Sequence, residues 1–129
     1  MSRTLSRQFL LFLLIGGAQL VVDWAMFVTL TYAGLPLGAG NLAGRATGAC
    51  LGYWLNGRYT FAADGRARLD AVHLRRFVLA WLLLTALSTL LLALVEHRIS
   101  LQAAWIAKPV VEAAMALLGF VVWRQWVYR

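Results

Sequence analysis

Four apolar runs, each about twenty residues long, dominate this chain. A helix needs about 20 predominantly apolar residues to cross the hydrocarbon core of a bilayer. The first run extends from about Gln8 to Tyr32 and is interrupted by Asp23. The second extends from Leu37 to Leu55 and is interrupted by Arg45. The third, 77–95, carries no charge, and the fourth, 101–123, contains Lys108 and Glu112. The pattern predicts an all-α polytopic membrane protein, with residues 1–129 forming a single domain of four transmembrane helices. Composition excludes an ordinary soluble domain. The chain is 62% hydrophobic and 13% charged, against about 25% charged in a typical soluble domain. A chain of 14.3 kDa also cannot hide that much apolar surface in one water-facing core. Arg3 and Arg7 precede the first run as they would in a secretory signal. The run is too long for an h-region, however, and no small-residue cleavage site follows it, so a retained span is expected.

The net charge of +7 raises the question of nucleic acid, but the basic residues cluster between and beside the apolar runs rather than along one face. No nucleic-acid partner is expected. Arg3 and Arg7 precede the first span, and Arg58, Arg66, Arg68, Arg75 and Arg76 lie between the second and third. Arg124 and Arg129 follow the fourth, while Arg98 alone stands on the opposite side. By the positive-inside rule both termini and a middle loop of about 57–75 are cytoplasmic. The segments "AGLP" and "EHRIS" then turn the chain at the outer surface.

The two halves resemble one another weakly. "RQFLLFLL" at 7–14 is echoed by "RRFVLAWL" at 75–82, and "NGRYTF" at 56–61 by "WRQWVY" at 123–128. Each half is thus a hairpin of two spans with a basic-aromatic start and an aromatic-basic finish. Two spans return the chain to its starting side, so the hairpins share one orientation. Generic flanking of spans by arginine and aromatic residues is the alternative.

Ionisable residues near the bilayer centre each cost about 2.5–3.5 kcal/mol on insertion scales and usually face a bundle interior. At about 1.5 Å per residue, Asp23 lies about 13 Å from the outer end of its span and Arg45 about 12 Å from its own. By the same rise Lys108 and Glu112 lie about 10 and 16 Å in, so that all four share one layer. Asn41, Arg45, Gly52 and Asn56 fall close to one stripe of the second span, and Gln19 and Asp23 share a face of the first. Gly40, Gly44, Gly48 and Gly52 form a neighbouring stripe that favours close helix approach. Two cations near a central axis suit a phosphate or pyrophosphate headgroup, with Arg45 as a planar fork and Lys108 as a point charge. The same charges also fit two structural ion pairs, Asp23–Arg45 and Lys108–Glu112. Thr85, Ser88 and Thr89 are candidates to bond a sugar, or simply backbone carbonyls. Arg58, Arg75 and Arg76 are candidates to catch a phosphate at the membrane surface, although positive-inside flanking also explains them. Trp54, Trp123 and Trp126 read as interfacial anchors. His73 and His97 lack metal-ligand spacing, and the lone Cys50 allows no intrachain disulfide. No cofactor, metal site or catalytic constellation is expected, so the chain reads as a non-enzyme.

The residues "GG" at Gly16–Gly17 with Asp23, then "GLP", Asn41–Ala43 and "LNGRYTF" at 55–61, resemble the GtrA-like family. "RRF", Ala107–Lys108 and the closing "QWVY" extend the resemblance across the chain, with Trp123 where the family often has an asparagine. The resemblance implies a bacterial inner-membrane protein that flips a polyprenyl-phosphate-linked sugar for cell-surface polysaccharide or glycan synthesis, or assists the enzymes that use it. On that reading Arg45 and Lys108 hold the phosphate, with Arg58 at the surface. Asp23 and Glu112 balance charge between loads, and Asn41 and Asn56 bind polar headgroup atoms. The prenyl tail stays among membrane lipids and leaves through a lateral opening beside the glycine face. So small a chain also suggests a homo-oligomer joined through small-residue faces. The alternatives are a non-transporting scaffold that recruits a membrane glycosyltransferase, and a small multidrug-type exporter, whose dual-topology members lack so strong a basic bias.

Overall fold

The computed structural model describes residues 3–55, 71–122 and 125. Asn56, Arg58 and most of the expected 57–75 loop lie outside the described residues. Four helices follow one another: α1 (Arg3–Tyr32), α2 (Leu37–Leu55), α3 (Ala71–Arg98) and α4 (Leu101–Val122). Segments Phe9–Tyr32, Arg75–Arg98 and Leu101–Val122 are long and apolar enough to cross a membrane. The helix α2 is less apolar because its 19 residues include Asn41, Arg45 and five glycines. Its length of about 28 Å nonetheless matches the hydrocarbon core. Glycine costs about 0.8–1 kcal/mol per site in a helix in water. Within lipid that preference is overridden, because an unbonded peptide group costs several kcal/mol and only the helix satisfies every one.

The helices form a square. The neighbours are α1 with α2, α2 with α3, α3 with α4 and α4 with α1, while the diagonal pairs make no backbone contact among the described residues. The bundle is polar inside and apolar outside. Asp23, Asn41, Thr85, Ser88, Lys108 and Glu112 are buried, whereas Phe9, Leu83, Ile106 and Leu117 lie on the surface. A small apolar core of Phe27, Leu37, Leu92 and Ala104 fills the end near the hairpin turns. Both features suit a bundle solvated by lipid, which gains nothing by burying leucine.

Local chemistry closes the turns. At the end of α1 the Leu35 amide donates to the Leu30 carbonyl (3.0 Å) and the Gly34 amide to the Thr31 carbonyl (3.1 Å). This is a Schellman cap, with Gly34 at φ 109° where a side chain would be strained. Ser100 caps α4, its Oγ accepting from the Ala103 amide at 3.1 Å.

Pro109 lies inside α4 and has no N–H to give the carbonyl four residues back, that of Trp105. The indole Nε1 of Trp24 donates to that carbonyl at 2.7 Å, so a tryptophan of α1 replaces the bond that proline removed. Trp105 Nε1 in turn donates to Thr31 Oγ1 at 2.8 Å. These bonds stitch α1 to α4. Trp24→Phe keeps the ring and removes the donor, and is expected to destabilise the bundle by about 1–2 kcal/mol, the cost of one carbonyl left unsatisfied where lipid offers no donor. The thermal midpoint in lipid nanodiscs measures this. An unchanged midpoint would mean that the bond contributes nothing.

The glycine stripe of α2 packs against Gln19, Asp23, Phe27 and Thr31, a matching four-residue stripe of α1. A Cβ at Gly40 would meet Thr31 Cγ2 at 2.7 Å, and one at Gly48 the Gln19 carbonyl at 3.1 Å. Gln19 Nε2 also donates to the Gly48 carbonyl at 3.0 Å. The close helix approach expected of this stripe is therefore present, and the helix that it receives is α1 of the same chain.

Candidate functional site

The charged layer lies at the centre of the square. Lys108 on α4 is fully buried, at 0% exposure. Its Nζ donates to Asn41 Oδ1 of α2 at 2.6 Å and to Glu112 Oε1, one turn along α4, at 3.2 Å. The same nitrogen lies 3.0 Å from Asp23 Oδ1 of α1. That contact is a charge pair without hydrogen-bond alignment. Oδ1 is accordingly the one buried side-chain polar atom lacking a hydrogen bond among the described residues. The Phe27 ring faces the ammonium at 5.0 Å from its centroid, a further favourable contact for a cation.

Glu112 is the hub. Its Oε2 accepts from Arg45 Nη1, and its Oε1 accepts from Ser88 Oγ at 2.8 Å as well as from Lys108. Arg45 donates through Nε to Thr85 Oγ1 at 2.8 Å, and its guanidinium stands 5.8 Å from the centroid of the Trp81 ring. Asn41 completes the layer, its Nδ2 donating to Ser88 Oγ (3.2 Å) and Thr89 Oγ1 (2.8 Å). Two carboxylates and two cations sum to zero. A net charge in this medium would cost several kcal/mol, and neutral pairing with hydrogen bonds to every member but Asp23 Oδ1 removes most of that penalty.

The shared layer expected for Asp23, Arg45, Lys108 and Glu112 is present, and Asn41 joins it. The pairing differs from expectation in one respect. Asp23 does not pair with Arg45; it pairs with Lys108, while Arg45 pairs with Glu112. The reason is azimuth. Gly44 is the α2 residue that faces Asp23, so close that a Cβ there would stand 2.5 Å from Asp23 Oδ1. Arg45, one residue on, points about 100° further round the helix, away from α1 and toward α3 and α4. Lys108 and Glu112 do form the expected i,i+4 contact.

The hydroxyls of α3 serve the charges rather than standing free: Thr85 and Ser88 bond Arg45 and Glu112 directly, and Thr89 also back-bonds the Thr85 carbonyl at 2.7 Å. Trp81 and Phe27, which flank the two cations, were not singled out from the sequence. The spacing of Trp81, Thr85, Ser88 and Leu92 at helical intervals was the available signal.

A family model described as GtrA/DPMS, transmembrane domain, matches residues 11–128. No curated protein and no solved structure matches the chain significantly. The matched segment takes in all four members of the charge network and most of every helix. The chain belongs to the GtrA/DPMS transmembrane-domain family, and so to the membrane proteins of glycan synthesis.

Proposed function

We propose that this protein moves a polyprenyl-phosphate-linked sugar across the bacterial inner membrane, with both termini on the cytoplasmic side, and does so without making or breaking a bond. The observation that carries this reading is the sharing of one carboxylate by two cations. Arg45 of α2 and Lys108 of α4 reach Glu112 from helices whose backbones do not touch. Side chains alone bridge that diagonal, so the axis can open without unpacking a helix–helix seam. A lipid phosphate presents the kind of oxygen anion that Glu112 presents. It can take over the Arg45 fork and the Lys108 ammonium, while Asp23 remains to balance Lys108. Asn41 and the α3 hydroxyls, released from their mutual bonds, are then donors and acceptors for the headgroup. A homo-oligomer would give the headgroup room that one small bundle lacks, and a membrane glycosyltransferase would supply or consume the cargo.

Because Glu112 also contacts Lys108, exchanging Arg45 and Glu112 would set two cations one turn apart, so a charge swap is uninformative. The pair should instead be neutralised together. Arg45→Gln with Glu112→Gln keeps hydrogen-bonding groups, leaves Lys108 paired with Asp23 and keeps the bundle neutral. Removing both members of a buried pair is far milder than removing one. The double variant is expected to fold and insert normally yet lose transport of a fluorescent polyprenyl-phosphate sugar in proteoliposomes. Transport at the wild-type rate would sink the proposal and favour a scaffold whose charges only hold the bundle.

A further inference from the structure

Where the two hairpins meet, between α2 and α3, the surface is indented by an open groove of about 270 Å³ lined by Ala46, Ala49 and Cys50 on one side and Val78, Trp81 and Leu82 on the other. Its walls are wholly apolar, and on the α2 side they are low because the residues are small. Resting on the transport reading above, we infer that this groove seats the polyprenyl chain of the phosphate-linked lipid, with the phosphate at Arg75 and Trp81 as the partition between groove and charged core.

Three observations select that occupant. Arg75 is exposed and shares a face of α3 with Val78 and Leu82 at i, i+3 and i+7, so a cation lies one helical turn before the groove's α3 wall, on the side of the chain termini. An occupant with an apolar tail and an anionic head fits this order, whereas an uncharged lipid does not use it. Trp81 lines the groove while the Arg45 guanidinium stands 5.8 Å from its ring centroid. One side chain thus lies between the apolar groove and the cation proposed to receive the phosphate. Finally, the α1–α2 seam is shut by glycine packing and the α1–α4 seam is stitched by Trp24, while the bonds of Asn41 to Thr89 and of Arg45 to Thr85 join α2 to α3 within the charged layer. A headgroup moving from Arg75 to Arg45 along α3 needs Trp81 to turn aside, and the tail can remain in the groove meanwhile.

The full-length protein in nanodiscs is photolabelled with polyprenyl phosphate carrying a diazirine in its first isoprene units, and the adducts are mapped by peptide mass spectrometry. Adducts are expected on 46–50 and 77–82. Unlabelled polyprenyl phosphate should suppress them, and polyprenol or phosphatidylglycerol should do so about tenfold less well. Ala49→Trp, and the milder Ala49→Leu, fill the groove from its low wall and should reduce labelling, while Leu117→Trp on the exposed face of α4 should not. Labelling spread over Leu83 and Leu117, equal competition by phosphatidylglycerol, copy-to-copy crosslinks through this groove, or indifference to both Ala49 variants would each overturn the assignment. Groove labelling with normal transport by the Arg45→Gln/Glu112→Gln variant would mean that the core reading fails and the groove stands. The reverse result would mean that the lipid reaches the core by another seam.

Discussion

Lys108→Met is expected to destabilise the bundle by about 3–5 kcal/mol, the range for removing one partner of a buried ion pair. The number follows from what the lysine leaves behind. Asp23 Oδ1 makes no hydrogen bond and is held against Lys108 alone, at 3.0 Å. Asn41 Oδ1 loses its 2.6 Å donor, and Glu112 keeps Arg45 and Ser88 only. The layer changes from neutral to net negative within a medium that solvates no anion. Asp23→Asn added to Lys108→Met restores neutrality, since Arg45 and Glu112 still balance, and should recover most of the loss. The coupling energy of that cycle, measured from unfolding midpoints of the four proteins in one lipid composition, isolates the pair from the packing of the methylene stem. A purely additive pair of effects would mean that the 3.0 Å contact contributes nothing.

The helices themselves were legible because lipid allows few alternatives. An apolar run of span length must be helical, and the run that starts at Leu37 lies on α2. The helices α1 and α3 run longer than their apolar runs, from Arg3 and Ala71, because hydropathy counting stops at the first arginine whereas backbone helicity does not. Depth was legible too, since rise per residue is constant, and the four charges do meet. What the sequence could not supply was rotation. Nothing in the spacing of α1 against α2 says whether Gly44 or Arg45 faces Asp23, because those neighbours are about 100° apart and the answer depends on which stripe packs closest. The glycine stripe wins that contest, since it lets the backbones approach furthest, and it thereby turns Arg45 away from Asp23 and into the partnership with Glu112.

Gly44→Ala is therefore expected to be costly although alanine is the better helix former, by about 0.8–1 kcal/mol in water. A Cβ at this position would stand 2.6 Å from the Asp23 carbonyl oxygen and 2.5 Å from its Oδ1. The first of these is backbone and cannot swing aside, so α1 and α2 must separate along their whole stripe. Overpacking of this kind costs about 1–3 kcal/mol and occasionally more. With the obstacle in the backbone, about 3 kcal/mol net is the expected loss. Gly16→Ala is the control, because nothing lies within 4 Å of its added carbon, and only the propensity gain or no change should appear. The same displacement carries Asp23 away from Lys108, so the Gly44 variant should also remove most of the coupling between those two residues in the cycle above. A Gly44→Ala protein as stable as wild type, with that coupling intact, would show that the glycine stripe does not set the rotation of α2 and that the charge network orients the helix instead.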